Sequence, residues 1–205
     1  MIVIIDYGMG NLRSILNKIE KMGFDAIISS ESVDIQRADK LILPGVGSFD
    51  SGMDNLKKYE LISSLTKKVI EEKTPILGIC LGMQLLTKSS EEGTKAGLSW
   101  VNASCKKFNF DTRALNLKIP HMGWNSISIR KEDPLLENIS TGSKFYFVHS
   151  YHVVCNDPTI LLATVEYGHE VTSIIKKENI YGTQFHPEKS HTEGLTLLKN
   201  FITRC

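Results

Sequence analysis

Short apolar runs that alternate with amphipathic stretches in the first half of the chain constrain its fold more than any other feature. The first run, Ile2–Ile5, is continuously apolar, which is typical of a strand that is buried on both faces of a sheet. Three of the four runs lead into helical spacing, and this alternation predicts a parallel sheet with right-handed crossovers. The four predicted strands are Ile2–Ile5, residues 26–28, Lys40–Leu43 and Ile76–Ile79.

The second half of the chain has a different pattern, in which short strands are separated by turn signals. Together the two halves predict one domain over residues 1–205, an α/β fold with an open, mainly parallel twisted sheet, flanking helices and antiparallel additions. Asn11 is the candidate cap of the first helix and Thr192 that of the last. The other predictions are helices at 12–22, 61–70 and 81–88, and strands near 99–108, 117–130, 144–155, 160–166, 171–176 and 180–185.

The charge balance and the cysteine pattern exclude several classes of protein. The chain has 205 residues with a net charge of +1 and scattered lysine doublets, so neither a nucleic acid nor an anionic membrane is an expected partner. No apolar run approaches the ~18–20 residues that span a bilayer, and the first residues read as a strand rather than a signal peptide. The four cysteines form no C-x-x-C pair, which favours a reduced, cytoplasmic chain.

Cys80 stands between two glycines at the end of the fourth predicted strand, where ligands bind in an open parallel sheet. Gly78 and Gly82 allow a sharp strand-to-helix turn, the arrangement of the G-x-S-x-G nucleophile elbow with sulfur in place of oxygen. The N–H groups of the helix that follows would favour the thiolate form. A small buried core thiol explains the same residues, so this stretch by itself leaves both interpretations open.

His186 and Glu188 are candidates for the base and the orienting carboxylate that a nucleophilic thiol needs. His186 directly follows an apolar strand, and Glu188 is close enough to hold one imidazole tautomer. A His-Pro-Glu sequence alone is more often a surface turn, but an elbow cysteine in the same short domain favours catalysis. Acyl transfer also needs oxyanion donors, and the backbone N–H groups of the 44–47 turn and of Leu81 are candidates.

These motifs together resemble the class I (triad) glutamine amidotransferases. The elbow pattern G-[IV]-C-x-G-x-Q of that family is matched by residues 78–84, and its F-H-P-E pattern by residues 185–188. Within the family the resemblance is strongest to HisH-type glutaminase subunits of imidazole glycerol phosphate synthases, and it covers essentially the whole chain. Further segments that look like those subunits are 6–12, 43–47, 120–125, 147–151 and 184–190.

The resemblance implies a flavodoxin-like fold and a glutaminase mechanism with a Cys80–His186–Glu188 triad. Cys80 attacks the side-chain amide of L-glutamine, His186 passes a proton to the leaving ammonia, and Glu188 orients His186. A glutamyl thioester forms, and water releases glutamate. Matching positions form the family's oxyanion hole (Val46, Gly47 and Leu81) and hold its glutamine (Gly47, Gln84, Glu92, Ser150 and Tyr151).

The resemblance also implies a partner, because such subunits pass ammonia to a synthase through a tunnel. We expect a heterodimer with a HisF-type cyclase subunit that makes imidazole glycerol phosphate and AICAR in histidine biosynthesis, and weak activity without it. No cofactor or metal is implied, and His121, His149 and His152 are expected to be structural. Four residues match family positions near the face that docks on the synthase: Asn11, Trp124, Tyr146 and Lys189. For Trp124, packing in the core is an equally good explanation.

Two stretches depart from the HisH pattern and leave the ammonia acceptor open. Residues 97–105 and 191–194 resemble instead HisH-like paralogues that supply ammonia to a sugar amidotransferase in surface-polysaccharide biosynthesis. A general thiol hydrolase or peptidase is a further alternative. Gln84 and the His-Pro-Glu spacing argue against it. Loss of a triad member would have indicated a non-catalytic binding module, and none is lost.

Overall fold

The computed structural model describes residues 1–205 and contains eleven strands and six α-helices. None of the helices combines the length and the apolar character that crossing a membrane requires. The strands are Ile2–Ile5 (β1), Ala26–Ser29 (β2), Lys40–Leu43 (β3), Ile76–Ile79 (β4), Ala103–Lys107 (β5), His121–Ile129 (β6), Lys144–His149 (β7), Tyr151–Cys155 (β8), Leu161–Glu166 (β9), Glu170–Lys177 (β10) and Ile180–Thr183 (β11). The helices are Leu12–Lys21 (α1), Ser32–Arg37 (α2), Phe49–Lys58 (α3), Leu61–Thr66 (α4), Leu81–Leu85 (α5) and His191–Arg204 (α6).

Nine strands form one mixed sheet in the order β2-β1-β3-β4-β11-β10-β9-β6-β7, and β5 pairs with β8 separately. The five strands from β2 to β11 are mutually parallel, and the remaining four continue the sheet in antiparallel pairs. The α/β class that the strand–helix alternation predicts is therefore confirmed, with the later strands as the antiparallel additions.

Helices cover both faces of the sheet, and this explains why β1 is apolar throughout. Successive strand residues point to opposite faces. Along β1, Val3 and Ile5 join the core beneath α3, α4 and α5, whereas Ile2 and Ile4 join the core beneath α1 and α6. Burial on both faces fixes the carboxyl ends of β4 and β11 side by side in the middle of the sheet.

Three predicted boundaries near the site are wrong, each for a local reason. α5 ends at Leu85 instead of residue 88, because the Thr87 hydroxyl donates to the Gln84 carbonyl at 2.8 Å and the chain turns. The predicted strand 144–155 is two strands that break at Ser150 and join different sheets. Thr192 is not a cap, because α6 begins one residue earlier, directly after Ser190.

Other differences lie away from the site. The predicted helix at 61–70 is α4 followed by a π-helical turn at Lys67–Glu71. The predicted strands at 99–108, 117–130 and 180–185 are each shorter at one end or both. Two helices, α2 and α3, were not predicted at all. The predicted cap of α1 is present, since the Asn11 side chain accepts from the Ser14 N–H at 3.3 Å.

Candidate active site

Cys80 occupies a sharp turn between β4 and α5, with φ 55° and ψ −109°. A positive φ costs a residue with a side chain about 1–3 kcal/mol, so the surrounding structure must hold it in place. The Cys80 N–H donates to the Thr183 carbonyl at 2.7 Å, which ties the turn to β11. Neither flanking glycine has room for a side chain: a Cβ on Gly78 would lie 2.8 Å from the Met83 backbone, and one on Gly82 1.8 Å from the Leu43 carbonyl oxygen.

His186 and Glu188 form a buried pair at the end of β11, the strand next to β4. His186 Nδ1 lies 2.8 Å from Glu188 Oε1, and the two residues are only 2% and 5% exposed. Burial by itself lowers the pKa of His186. The neighbouring Cys80 and Glu188 side chains outweigh this effect and raise the pKa to about 9. His186 Nε2 makes no hydrogen bond within the chain, so this nitrogen is available for proton transfer.

Ser190 connects the histidine turn to the neighbouring edge strand, a role that the sequence patterns do not indicate. Its hydroxyl donates to the His186 carbonyl at 2.6 Å and accepts from the Tyr146 N–H at 3.0 Å. The His186 N–H donates in turn to the Tyr146 carbonyl at 2.9 Å. These three hydrogen bonds fix the position of the imidazole relative to β7.

The turn after β3 is held by a tyrosine that sequence reasoning missed. The Tyr7 hydroxyl donates to the Pro44 carbonyl at 2.6 Å, and burial raises the pKa of Tyr7, so the phenol remains a donor. Gly47 has a φ of 109°, a conformation that favours glycine. Tyr7 lies two residues after the first strand, and this position was a signal in the sequence, because strand ends of a parallel sheet converge.

A cleft of about 370 Å³ collects the predicted residues at one place. Glu188 stands behind it, in contact with His186. Nine of the residues that the sequence patterns and the resemblance indicate line the cleft: Val46, Gly47, Cys80, Leu81, Gln84, Glu92, Ser150, Tyr151 and His186. Three residues of its lining were not predicted to belong to the site: Pro120, Val148 and His149.

Polar side chains in the cleft are oriented by backbone groups. Glu92 Oε2 accepts from the Phe49 N–H at 2.7 Å, which leaves Oε1 without a partner in the chain. Gln84 Nε2 donates to the Tyr151 carbonyl at 3.0 Å and to Gln184 Oε1 at 3.1 Å. The arrangement therefore presents a thiol, an imidazole, a carboxylate and an amide to one small polar ligand.

Two further groups lie against the Cys80 sulfur. Gln184 Nε2 donates to Cys80 Sγ at 3.8 Å, and the Val148 carbonyl oxygen lies 3.9 Å from the same atom. Gln184 belongs to the motif that contains His186, yet its contact with sulfur depends on the β4–β11 pairing. Cys80 is 7% exposed and belongs to the core on the α1 and α6 side of the sheet, but fixed polar groups also lie against its sulfur.

The residues predicted for a docking face form an exposed cluster on β6, β7 and the turn that leads to α6. Trp124 is 45% exposed and stacks on His191 at 4.8 Å, so core packing does not explain it. Tyr146 meets the Trp124 ring edge-on at 6.0 Å, and Lys189 Nζ lies 5.8 Å from the Tyr146 ring. Asn11 is at the start of α1, which packs against the turn at Pro187–Lys189.

Solved structures with a similar fold are glutamine amidotransferases or their domains. A putative GMP synthase protein from Thermoplasma acidophilum superposes with a TM-score of 0.73 at 23% identity, and the match covers 98% of this chain and 91% of that protein. The glutaminase domain of Trypanosoma brucei CTPS, solved with bound acivicin, superposes with a TM-score of 0.67 at 16% identity, and the match covers 100% and 94%. These likenesses establish the fold.

Comparison of sequences finds relatives with much higher identity than these solved structures. A Methanococcus maripaludis protein named imidazole glycerol phosphate synthase subunit HisH 2 is 58% identical over 205 residues, which is 100% of both chains. A Pseudomonas aeruginosa protein of the same name is 46% identical over 202 residues and 98% of each chain. The family Glutamine amidotransferase class-I matches residues 3–205. With this match and these relatives over its full length, the chain belongs to the class-I glutamine amidotransferases.

Proposed function

We propose that this chain is the glutaminase subunit of an imidazole glycerol phosphate synthase in histidine biosynthesis. It hydrolyses L-glutamine to glutamate and ammonia, and a cyclase subunit uses the ammonia. The observation that carries the proposal is that the Cys80 elbow and the His186–Glu188 pair meet in one cleft with Glu92. Full-length relatives named HisH favour this acceptor over a sugar amidotransferase.

The first half of the reaction forms a thioester. Cys80 reacts as a thiolate, with its proton on His186 Nε2. The sulfur attacks the side-chain carbonyl carbon of glutamine, and the carbon–nitrogen bond breaks as His186 Nε2 gives that proton to the leaving nitrogen. A raised pKa keeps His186 protonated at neutral pH, so it enters this step as the acid. Glu188 holds the opposite ring nitrogen and stabilises the imidazolium.

The second half returns the enzyme to its starting state. Ammonia leaves, and a water molecule gives a proton to His186 Nε2 as its oxygen attacks the thioester carbon. The carbon–sulfur bond then breaks, which releases glutamate and the Cys80 sulfur. In both halves negative charge develops on the carbonyl oxygen, and we assign the backbone N–H groups of Val46, Gly47 and Leu81 to stabilise it.

Substrate recognition follows from the polar groups of the cleft. Glu92 carries a carboxylate oxygen without a partner, which suits the α-ammonium of glutamine. Gly47, Gln84 and the Ser150–Tyr151 backbone complete the proposed glutamine subsite. A general peptidase would need room for a polypeptide on both sides of the nucleophile, whereas a cleft of about 370 Å³ suits a single amino acid.

We place the cyclase partner, of HisF type in a heterodimer, on the exposed cluster of Trp124, Tyr146 and Lys189, with Asn11 at its border. Half-exposed aromatic rings beside a cation are typical of interface anchors. The His186 N–H is bonded to Tyr146, so the proposed docking face is one hydrogen bond from the catalytic base. Residues 1–205 act as one domain in this proposal, in the cytoplasm, where the four free cysteines would remain reduced.

The proposal is tested with the chain and its cyclase subunit purified as a complex. Glutamine-dependent and ammonium-dependent synthesis of imidazole glycerol phosphate are measured separately for the wild type and Cys80→Ser. We expect Cys80→Ser to lose the glutamine-dependent rate by on the order of 10³-fold or more, since the nucleophile is gone, and to keep the ammonium-dependent rate.

Cys155→Ser is the matched control, because Cys155 is a free thiol outside the cleft. A diazoketone analogue of glutamine should label Cys80 alone, and free glutamine should block the labelling. Unchanged glutamine-dependent synthesis in Cys80→Ser would contradict the catalytic assignment. Ammonia transfer to a sugar amidotransferase and not to the cyclase would contradict the assigned acceptor.

A further inference from the structure

Two buried histidines, His121 and His149, form a hydrogen-bonded pair that the catalytic steps do not use. They face each other across the β6–β7 hairpin, with His121 Nδ1 3.0 Å from His149 Nε2, and the residues are 2% and 6% exposed. His149 also lines the glutamine cleft. Buried polar groups are costly unless every hydrogen bond is satisfied, so the partners of this pair define what it does.

Backbone carbonyls at both ends fix the direction of every hydrogen bond in this group. A carbonyl oxygen only accepts, so His149 Nδ1 donates to Tyr151 at 2.8 Å and His149 Nε2 accepts from His121 Nδ1. At the far end Asn125 Nδ2 donates to the Glu166 carbonyl at 2.9 Å and to His121 Nε2 at 3.3 Å. Each imidazole is therefore held in one tautomer, with a proton on Nδ1 only.

The protein environment keeps both rings neutral. Burial lowers the pKa of His121 to about 4 and that of His149 to about 3. The Asn125 amide is prevented from turning over, because its Oδ1 accepts from the Ser126 N–H at 2.8 Å. A proton added to His121 Nε2 would therefore face an N–H group instead of an acceptor.

The Tyr151 carbonyl connects this pair to the nucleophile. It accepts a second hydrogen bond, from Gln84 Nε2, which also donates to Gln184 Oε1. Gln184 Nε2 then donates to Cys80 Sγ at 3.8 Å. One continuous set of hydrogen bonds thus runs from the β6–β7 hairpin through the edge of the glutamine subsite to the sulfur.

We propose that His121 and His149 are positioning residues for glutamine binding, which fix the Tyr151 carbonyl and with it the Ser150–Tyr151 backbone. The inference rests on the proposed function, because it assigns the pair to the glutamine subsite of that site. Ser150 is the break between β7 and β8, where the chain changes sheets and a single backbone bond, from the Phe108 N–H at 3.3 Å, holds its carbonyl. The bond from His149 to the adjacent Tyr151 carbonyl adds a side-chain anchor at this break. Neither histidine exchanges a proton with substrate.

Two amide substitutions separate the two nitrogen atoms of His149. In His149→Asn the amide N–H replaces Nδ1 and keeps the bond to Tyr151, whereas in His149→Gln the amide reaches the Nε2 position and that bond is lost. In the complex with its cyclase subunit, we expect His149→Gln to raise the KM for glutamine about tenfold with kcat within about threefold. His149→Asn should keep KM within about threefold of the wild type.

The control variant is His169→Asn, because His169 contacts the Phe108 ring as both histidines of the pair do, but lies outside the set of hydrogen bonds. Alkylation of Cys80 by iodoacetamide should proceed equally fast in wild type and His149→Gln, which shows that the thiol itself is unaffected. Circular dichroism checks folding. If His149→Gln does not fold, His121→Gln is measured instead; it removes the N–H from which His149 Nε2 accepts a hydrogen bond and should also raise the KM for glutamine.

Equal KM values for the Asn and Gln variants at position 149, or a loss confined to kcat, would overturn the inference. If the wild-type complex hydrolyses glutamine and KM is unchanged in His149→Gln, this inference alone fails. If the wild-type complex does not hydrolyse glutamine, the proposed function fails, and the inference fails with it.

Discussion

Gly82 packs so closely against Leu43 that a Cβ atom on Gly82 would stand 1.8 Å from the Leu43 carbonyl oxygen. The first turn of α5 therefore rests directly on the end of β3. This contact keeps the Cys80 sulfur beside the 44–47 turn, whose N–H groups we assign to the oxyanion. The glycine at 82 is needed because two backbones meet there, and only secondarily because the chain turns.

Gly82→Ala should therefore lower glutamine hydrolysis by about 100-fold and destabilise the fold by about 1–3 kcal/mol or more, since a methyl group must displace β3 or the elbow. Hydrolysis rate and thermal unfolding are measured together. Gly142→Ala is the control, because its φ of 96° makes alanine costly while no atom lies within 4 Å of its Cβ position. A loss of glutamine hydrolysis as large in Gly142→Ala as in Gly82→Ala would contradict the role of the close contact at Gly82.

Glu188→Gln should slow glutamine hydrolysis by on the order of 10²–10⁴-fold, because a neutral amide neither stabilises the imidazolium nor fixes its tautomer. The pKa of His186 should fall below its value of about 9, which Glu188 helps to raise. The rate is measured as a function of pH, and the His186 titration by NMR. Glu193→Gln, in the first turn of α6, is the control. An unchanged His186 titration in Glu188→Gln would contradict the assigned role.

Tyr7→Phe should lower the stability of the fold by about 1–3 kcal/mol, because the buried Pro44 carbonyl loses its donor. It should also lower kcat, since the turn that Tyr7 holds carries the proposed oxyanion donors. Thermal unfolding and glutamine hydrolysis are the measurements. Tyr59→Phe serves as the control, because Tyr59 is 42% exposed and its hydroxyl makes no hydrogen bond within the chain. A kcat equal to that of the wild type would contradict the prediction that Tyr7 positions the proposed oxyanion donors.

The stability of the free chain should be greatest near pH 6.5 and fall on both sides. Burial lowers the pKa of His121, His149 and His152 to between about 3 and 4, so between that range and 6.5 the unfolded state binds more protons and stability rises with pH. His186 has a raised pKa of about 9, so from 6.5 upward the folded state binds more protons and stability falls. Denaturant titrations at several pH values measure the curve.

A control for this curve is His152→Phe, which removes one of the three groups and should flatten the acid side only. Cys80→Ala should flatten the alkaline side, since Cys80 helps to raise the pKa of His186. A monotonic dependence of stability on pH in the wild type would contradict the expected curve.

Trp124→Ala should weaken cyclase binding by about 30-fold or more, as expected for a central aromatic anchor worth about 2 kcal/mol. Its effect on stability should be small, because the ring is 45% exposed in the free chain. Calorimetry with the cyclase subunit gives the affinity. Val33→Ala, an exposed residue on α2 at the opposite edge of the sheet, is the control. If Trp124→Ala binds the cyclase subunit with wild-type affinity, the proposed docking face is wrong.

Sequence patterns predicted the residues of the site better than they predicted its supports. Cys80, Leu81 and His186 follow apolar runs, and since parallel strands end at one edge, their convergence could be inferred. The bond from Tyr7 to Pro44 and the His121–His149 pair depend on strand register and on one particular rotamer. Neither leaves a periodic signal, so the anchors of the site appear only in three dimensions.

Two local errors have instructive causes. Strand-forming residues stand on both sides of Ser150, so the run at 144–155 is typical of one strand, and the polar pair His149–Ser150 is only a weak sign of the change of sheet. α3 does have a signal, because Phe49, Met53 and Leu56 share its buried face and Ser48 caps it, but Gly52 inside the helix and the glycines before it obscure the pattern.

The pairing of β4 with β11 decides when this chain acquires its chemistry. A ribosome releases the nucleophile strand long before the strand that carries the base, because the two are neighbours in space and far apart in sequence. Until Thr183 arrives, the Cys80 N–H lacks the carbonyl that holds the elbow, and no imidazole stands beside the sulfur. The nascent chain therefore carries an unactivated thiol, and it becomes an enzyme only when its last strand closes the centre of the sheet.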